Sequence, residues 1–283
     1  MARQRKWAVD SNEYRRRLGS LSSDGVPPRT GAHRARLESC GVTWNDGAVD
    51  LTLMPATNPD RARLRFRAAL PELIWNTAAL EGSTFTLPEV RTLLEGVTVG
   101  GRPLQETEQI LALRDAYHRL DEHLARGTFA LKKSISDELQ GLLARHEAIE
   151  VGNFRGEGSV TGGGHVRLST GERVEGVDHG LAGSDLIDRY EALLDYLDHH
   201  IQDPRAQALG YFAAVARIQY YFDGNKRTAR LMMAGHLIAS GYEAVSIPNA
   251  RRLEFNRALD HLFASDDATE LMSLLCTCAP KDA

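Results

Sequence analysis

From residue 59 onward, apolar positions recur mainly at three- and four-residue intervals, the spacing of helices with one buried face. Residues 61–76 form one predicted helix, which 77–83 continue or follow. Thr86-Leu87-Pro88-Glu89 has the spacing of a capping box and leads into Val90, Leu93 and Leu94. Long helical patterns follow over 104–125 and 132–145, and another over 184–201 with Ser184 as its N-cap. Asp203-Pro204 opens the next helix, because an aspartate caps a free first-turn amide and a proline there sacrifices no hydrogen bond. Leu209, Phe212, Ala213 and Ala216 give it an unbroken apolar stripe, which marks it as central and carries it to about Tyr221. Further helices are expected over 225–240, stopped by Gly241, and over 250–263 and 268–278. Three stretches break the pattern. Residues 19–34 are rich in Gly, Ser and Pro and read as loop. Residues 42–53 alternate weakly around Asn45-Asp46-Gly47, which predicts a small hairpin. The glycine-rich stretch 152–183 contains a second hairpin over 160–174, with Gly162-Gly163-Gly164 and Thr170-Gly171 as its turn residues. The expected fold class is therefore mainly α, with a small hairpin over 42–53 and a glycine-rich one over 160–174.

Composition narrows the function classes. The chain has 283 residues, 42% hydrophobic and 25% charged, enough apolar material for a core and too much for a disordered protein. No apolar run approaches the ~20 residues of a membrane-spanning helix. No apolar stretch follows the basic first ten residues, so neither a membrane nor a secretory role is expected. Cys40, Cys276 and Cys278 are too few and too poorly spaced for a disulfide framework or a closed zinc site, and a reducing cytoplasm is the expected compartment. Charge is unevenly spread. Residues 1–37 hold nine basic and three acidic side chains, a balance of +6 in a chain whose net charge is -4. Residues 1–58 thus read as a basic arm, partly loop with the small hairpin, ahead of a helical domain over 59–283. The arm has no DNA-binding pattern, so it is read as a solvated tail, and nucleic acid is not an expected partner.

The chemistry concentrates in Phe222-Asp223-Gly224-Asn225-Lys226-Arg227-Thr228-Ala229-Arg230. An Asp-Gly turn here delivers the start of one helix out of the end of another. Unpaired amides and the helix dipole make that terminus an anion site. Gly224 lets a bulky anion approach the backbone, and Asn225 can cap the turn or donate its amide. Arg227 and Arg230, three apart, share a face. Two guanidiniums beside a helix N-terminus suit a polyphosphate better than a single carboxylate. Asp223 adds a hard oxygen for Mg²⁺. An ordinary corner with solvated arginines is the plainer alternative, but two arginines, a lysine and an acid in one short stretch favour phosphate.

These residues resemble the signature of the Fic (Fido) superfamily, His-Pro-Phe-x-Asp-Gly-Asn-Gly/Lys-Arg followed by x-x-Arg. It reads here Gln219-Tyr220-Tyr221-Phe222-Asp223-Gly224-Asn225-Lys226-Arg227, then Arg230. Thr77-Ala78-Ala79-Leu80-Glu81-Gly82 is similar to the family's inhibitory pattern, Ser/Thr-x-x-x-Glu-Gly/Asn, and the hairpin at 160–174 falls where the family carries a target-positioning flap. The resemblance covers about residues 60–278. It implies a Fic/Fido helical bundle with a β-hairpin flap, and transfer of AMP from ATP to a hydroxyl of a target protein docked at the flap. It implies that Asp223 holds Mg²⁺, that Gly224, Asn225, Lys226 and Arg227 cradle the α- and β-phosphates, and that Arg230 reaches the γ-phosphate. It further implies an inhibitory helix at about 77–83, whose Glu81 pairs with Arg230 and blocks the productive nucleotide pose.

Two departures from the family pattern bear on the chemistry, and a third concerns the base pocket. Gln219 stands where the family has its general base, and an amide has no titratable group near neutral pH. His236 lies six residues beyond Arg230, His165 and His179 lie in or near the flap, and His199 and His200 sit at a helix end, so none is an obvious substitute. Lys226 stands where many AMP-transferring members have Gly, and Lys there also occurs in a branch that transfers phosphate. Phe255-Asn256 stands where relatives often carry tyrosines that pack on adenine. Three functions follow: an autoinhibited AMP transferase with altered chemistry, a catalytically inactive nucleotide-binding regulator, or a hydrolase or phosphotransferase using the same cradle. Target and oligomeric state stay open.

Overall fold

A computed structural model describes residues 31–280. The basic residues ahead of Gly31, and most of the expected loop at 19–34, lie outside the described residues.

The bundle is organised around α8 (Pro204–Ile218) and α9 (Asn225–Ala239), which pack against each other over most of their lengths. In α8 almost every residue from Ala206 onward is buried, the signature of a helix enclosed on all sides. Asp203 caps it by accepting the Arg205 N–H. Around this pair stand α2 (Pro59–Ala68), α3 (Leu70–Leu80), α4 (Leu87–Leu94), α5 (Leu104–Ala125), α6 (Lys133–Leu143), α7 (Ser184–His200), α10 (Arg252–Ser265) and α11 (Thr269–Thr277). In the expected capping box the Glu89 carboxylate accepts the Thr86 N–H at 2.8 Å. Strands β1 (Val166–Arg167) and β2 (Arg173–Val174) pair antiparallel, Val166 opposite Val174, and form the flap hairpin. The glycine-bearing tip is closed by Leu168–Glu172 and Gly171–Leu168 backbone bonds.

The structure corrects several expectations. Residues 61–76 are two helices, because Pro71 offers no N–H to the carbonyl of Arg67, and Ala69 turns its own N–H onto Arg65 and Arg67. The expected inhibitory helix at 77–83 is the last turn of α3, with Glu81 as its C-cap. Ser184 is the first helical residue; the cap position belongs to Gly183 in a left-handed conformation. Residues 31–34, expected as loop, open a helix, α1 (Gly31–Cys40), which packs on α7. The expected hairpin at 42–53 is absent. Its place is taken by two 3-10 turns, Asp46–Ala48 and Leu51–Leu53, capped by the side chains of Asn45 and Asp50. The backbone of this segment pairs instead with distant chain: Thr43 gives its N–H to Asp266 and takes that of Ala268. Cys40, Val42, Trp44, Val49 and Met54 are buried in the same core as the helices after residue 59.

Finally, α8 ends at Ile218 rather than near Tyr221. Tyr220 and Tyr221 extend the apolar pattern, but they do so as loop residues packed with Phe154 and Tyr190 in an aromatic cluster. The Tyr221 hydroxyl donates to Asp137 (2.8 Å) and lies 2.7 Å from the Ser136 hydroxyl, which anchors the loop to α6.

Candidate active site

The loop Gln219–Gly224 is shaped by its own sequence. Gln219 adopts a left-handed conformation (φ 60°), which for a residue with a side chain carries a strain of about 1–3 kcal/mol. Gly224 repeats that conformation (φ 78°) as the N-cap of α9, where glycine has no steric objection. Asn225 is buried and pins the loop: its Oδ1 accepts the Tyr221 N–H (2.8 Å), and its Nδ2 donates to the Tyr221 carbonyl (2.7 Å) and to Gln219 Oε1 (3.1 Å). The Asn225 side chain thus serves the turn. The first intrahelical bond runs from Thr228 N–H to Gly224 O, so the amides of Asn225, Lys226 and Arg227 have no partner within α9.

This terminus faces a cleft of about 540 Å³. The loop and α9 contribute Gln219, Phe222, Asp223, Gly224, Asn225, Lys226 and Arg227; Glu81 enters from α3, the flap supplies residues 165–169, and α10 supplies Arg252, Asn256, Leu259, Asp260 and Phe263. The flap tip is fastened to the far wall, where Ser169 donates its N–H (3.2 Å) and its hydroxyl to Asp260. Of Phe255-Asn256, only Asn256 faces the cleft; Phe255 is buried against Phe212.

The charged residues of the motif do not share one task. Asp223 is half-exposed at the cleft, takes the Gly224 N–H, and sits 3.2 Å from Arg227 Nη2. Among the described residues no group of three His, Cys, Asp or Glu is placed to hold a metal. A cation on Asp223 would therefore draw its remaining ligands from phosphate oxygens and water, as Mg²⁺ commonly does. Arg227 is buried in a two-pronged pair with Glu147, at 3.0 and 2.5 Å. Arg230 is also buried, and its guanidinium lies behind Glu81, facing a small cavity beside Tyr117 and Ala234. It donates Nε to the Lys226 carbonyl and Nη2 to Glu81, while Nη1 is buried with no hydrogen-bond partner among the described residues. The second Glu81 oxygen is 3.3 Å from Lys226 Nζ. Burial pushes the Glu81 carboxyl up, but Lys226, Arg230 and Arg227 outweigh it and hold the group at about 2. Glu81 is thus a permanent anion gripped by two of the expected phosphate-binding cations.

Gln219 reaches the cleft, with Nε2 donating to the Ala216 carbonyl (2.5 Å) and Oε1 accepting from Asn225. The histidines are dispersed. His165 lines the cleft from the flap. His179 is tied below the flap between Gly180 and Gly162. His199 binds Asp195, and His200 stacks on Tyr196. His236 is bonded to Gln207 on α8, and burial lowers it to about 4. Two residues without any local sequence signal support the site: Glu147, which neutralises Arg227, and Arg155, which binds the Gln219 carbonyl at 2.7 Å.

Residues 113–237 match the sequence model of the Fic/DOC family. The chain is 28% identical over 210 residues to the protein adenylyltransferase Fic of Drosophila mojavensis, covering 74% of this chain and 39% of that protein. The chain spans about two fifths of the length of the curated relatives it matches. Among solved structures, Fic-1 from C. elegans superposes with a TM-score of 0.62 at 18% identity, covering 95% of this chain and 74% of that one. A Fic-domain-containing signaling protein from Bacteroides thetaiotaomicron gives a TM-score of 0.62 at 21% identity, covering 86% of this chain and 90% of that one. These two establish a common fold.

Proposed function

This chain belongs to the Fic/DOC family, and from that premise we propose that it binds ATP and nominally transfers AMP to a protein hydroxyl, under restraint by Glu81 and with chemistry weakened at Gln219. One observation carries the reading. The free amides of the α9 N-terminus, the Asp223 carboxylate, the Lys226 ammonium and the inhibitory carboxylate of Glu81 all face one cleft, and the flap forms one of its walls.

In AMP transfer a hydroxyl oxygen attacks the α-phosphorus, pyrophosphate leaves, and the hydroxyl proton must be accepted. The α9 amides would hold phosphate oxygens, where the helix dipole adds to the attraction. Asp223 would hold Mg²⁺, which supplies neutralising charge between phosphates when bound. Leu168, Leu259 and Phe263 offer the apolar wall that a base requires. Glu81 occupies Arg230 and Lys226, so a triphosphate tail meets a carboxylate where it needs cations. Gln219 can orient the incoming hydroxyl through a hydrogen bond but cannot take its proton; a positioned base is worth ~10²–10⁴ in rate. A second reading, a nucleotide-binding regulator without transfer, is favoured by the same fact, since both ends of the Gln219 amide are already engaged by protein.

The test is transfer of label from ATP, with Mg²⁺, to protein in a lysate, followed by intact mass. Labelling by Glu81→Gly supports the restrained transferase. Labelling by Glu81→Gly/Gln219→His and not by Glu81→Gly supports the regulator; a rise of ~10²–10⁴ over a Glu81→Gly that does label measures the missing base in the transferase. A mass increment of phosphate instead of AMP identifies a phosphotransferase. Absence of nucleotide binding in every variant overturns the reading.

A further inference from the structure

Arg155 is fully buried and heads the large side chains that are, among the described residues. The hydrogen bonds of its guanidinium go to backbone carbonyls. Nε donates to Gln219 (2.7 Å), Nη1 to Gly162 (3.3 Å) and Gly163 (3.2 Å), and Nη2 to Val177 (2.9 Å). Its own N–H goes to the Tyr220 carbonyl at 2.8 Å. Burial presses the guanidinium towards its neutral form, and Asp178 opposes this only in part. A cation in such a place is expensive, and four converging carbonyl dipoles are what make it tolerable.

What those carbonyls belong to is informative. Gly162 and Gly163 are the chain entering the flap, Val177 is the chain leaving it, and Gln219 is the first residue of the motif loop. One planar group thus ties both roots of the flap to the turn that faces the cleft. The flap root is fitted to it closely. A Cβ on Gly164 would lie 2.3 Å from Arg155 Cζ, and one on Gly163 would lie 2.8 Å from the Phe222 ring of the motif loop. The glycines, read from sequence as turn residues, are small because the chain crosses this guanidinium. Farther out, the flap strand that lines the cleft is held at its tip by Ser169 and Asp260.

We propose that Arg155 is a positioning residue that fixes the height and angle of the flap above the motif turn, and with it the placement of a target segment relative to the nucleotide. The placement of a target rests on the nucleotide-cleft reading above; the flap geometry does not. A lysine cannot substitute, because a single ammonium cannot reach carbonyls on three segments at once, as a planar fork does.

Flap geometry is read by electron–electron distance between spin labels at Thr170→Cys on the exposed flap tip and Asp198→Cys on the exposed face of α7, the three native cysteines being buried. Native Arg155 should give one narrow distance. Arg155→Lys and Arg155→Met should broaden or shift it. Gly164→Ala, which pushes on the guanidinium without removing a buried charge, should do the same and keeps the test valid if the Arg155 variants fold poorly. In the Glu81→Gly/Gln219→His background, Arg155→Lys should lower kcat about 10²-fold while KM for ATP holds, the signature of misplacement rather than lost binding. An unchanged, narrow distance in Arg155→Lys and Gly164→Ala overturns the proposal, whatever happens to stability. So does a loss of ATP affinity in step with unfolding in Gly164→Ala. Failure of every protein, the native one included, to bind ATP refutes the cleft reading and leaves the distance result to judge Arg155.

Discussion

Replacing Glu81 with glutamine keeps the shape of the side chain and removes the charge that holds Arg230 and Lys226. The consequence can be sized from the structure. A carboxyl moved from 4.5 to about 2 is favoured in its charged form by roughly 3 kcal/mol, at about 1.4 kcal/mol per tenfold. A triphosphate tail that is to pair with the same cations must first displace this contact. Glu81→Gln should therefore raise the affinity for ATP with Mg²⁺ by up to ~10²-fold. Because the folded pKa lies below the unfolded one, the stabilisation by this ion pair is complete above about pH 5 and is lost as the pH falls toward 2. Calorimetric titration at neutral pH thus compares a fully charged carboxylate with a neutral amide. The variant should also unfold more easily without nucleotide, since it leaves a buried guanidinium unpaired, and should gain more from added ATP than the native protein does. Affinity equal to the native value within about threefold would show that Glu81 and the phosphates do not compete, and the inhibitory assignment would fall.

Asp223→Asn should remove most of the Mg²⁺-dependent part of ATP affinity, about tenfold or more, and leave Mg²⁺-free binding nearly unchanged; titrations with and without Mg²⁺ check this. Arg227 is expected to act chiefly in structure, through Glu147. Arg227→Met should cost about 3–5 kcal/mol by urea unfolding, and pairing it with Glu147→Leu should recover much of the loss. His236 is held neutral by burial, at about 4 against an ordinary 6.5. The unfolded chain binds the extra proton in that window, so up to ~3 kcal/mol of stability should be lost as the pH falls from 6.5 to 4. Denaturation midpoints across that range should flatten in His236→Gln.

What the sequence made legible was whatever depends on near neighbours. The helices α4, α8 and α9 announce themselves through an apolar stripe with a cap at one end: Glu89 three residues after Thr86, Asp203 before Pro204, Gly241 after the last turn. Where partners are far away the pattern is silent. The segment after Cys40 finds its backbone partners at residues 266–268 and reads locally as an indifferent hairpin. Tyr220 and Tyr221 look like the last turn of α8 because the loop they occupy is as buried as the helix. The same rule governs the site. The anion-facing helix start is contiguous in sequence and was visible from its residues, and the resemblance picked out Glu81. The division of labour between Arg227 and Arg230 was not visible. Three residues apart on one helix, they face different carboxylates, Glu147 from the turn after α6 and Glu81 from the end of α3. Which acid each guanidinium meets depends on residues 80 and 149 positions away in the chain. Arg155 is the extreme case, since the carbonyls it binds carry no side-chain identity at all. A motif of charged residues therefore fixes where an anion is welcome, while the charges that remain for it are decided by what the rest of the fold has already claimed.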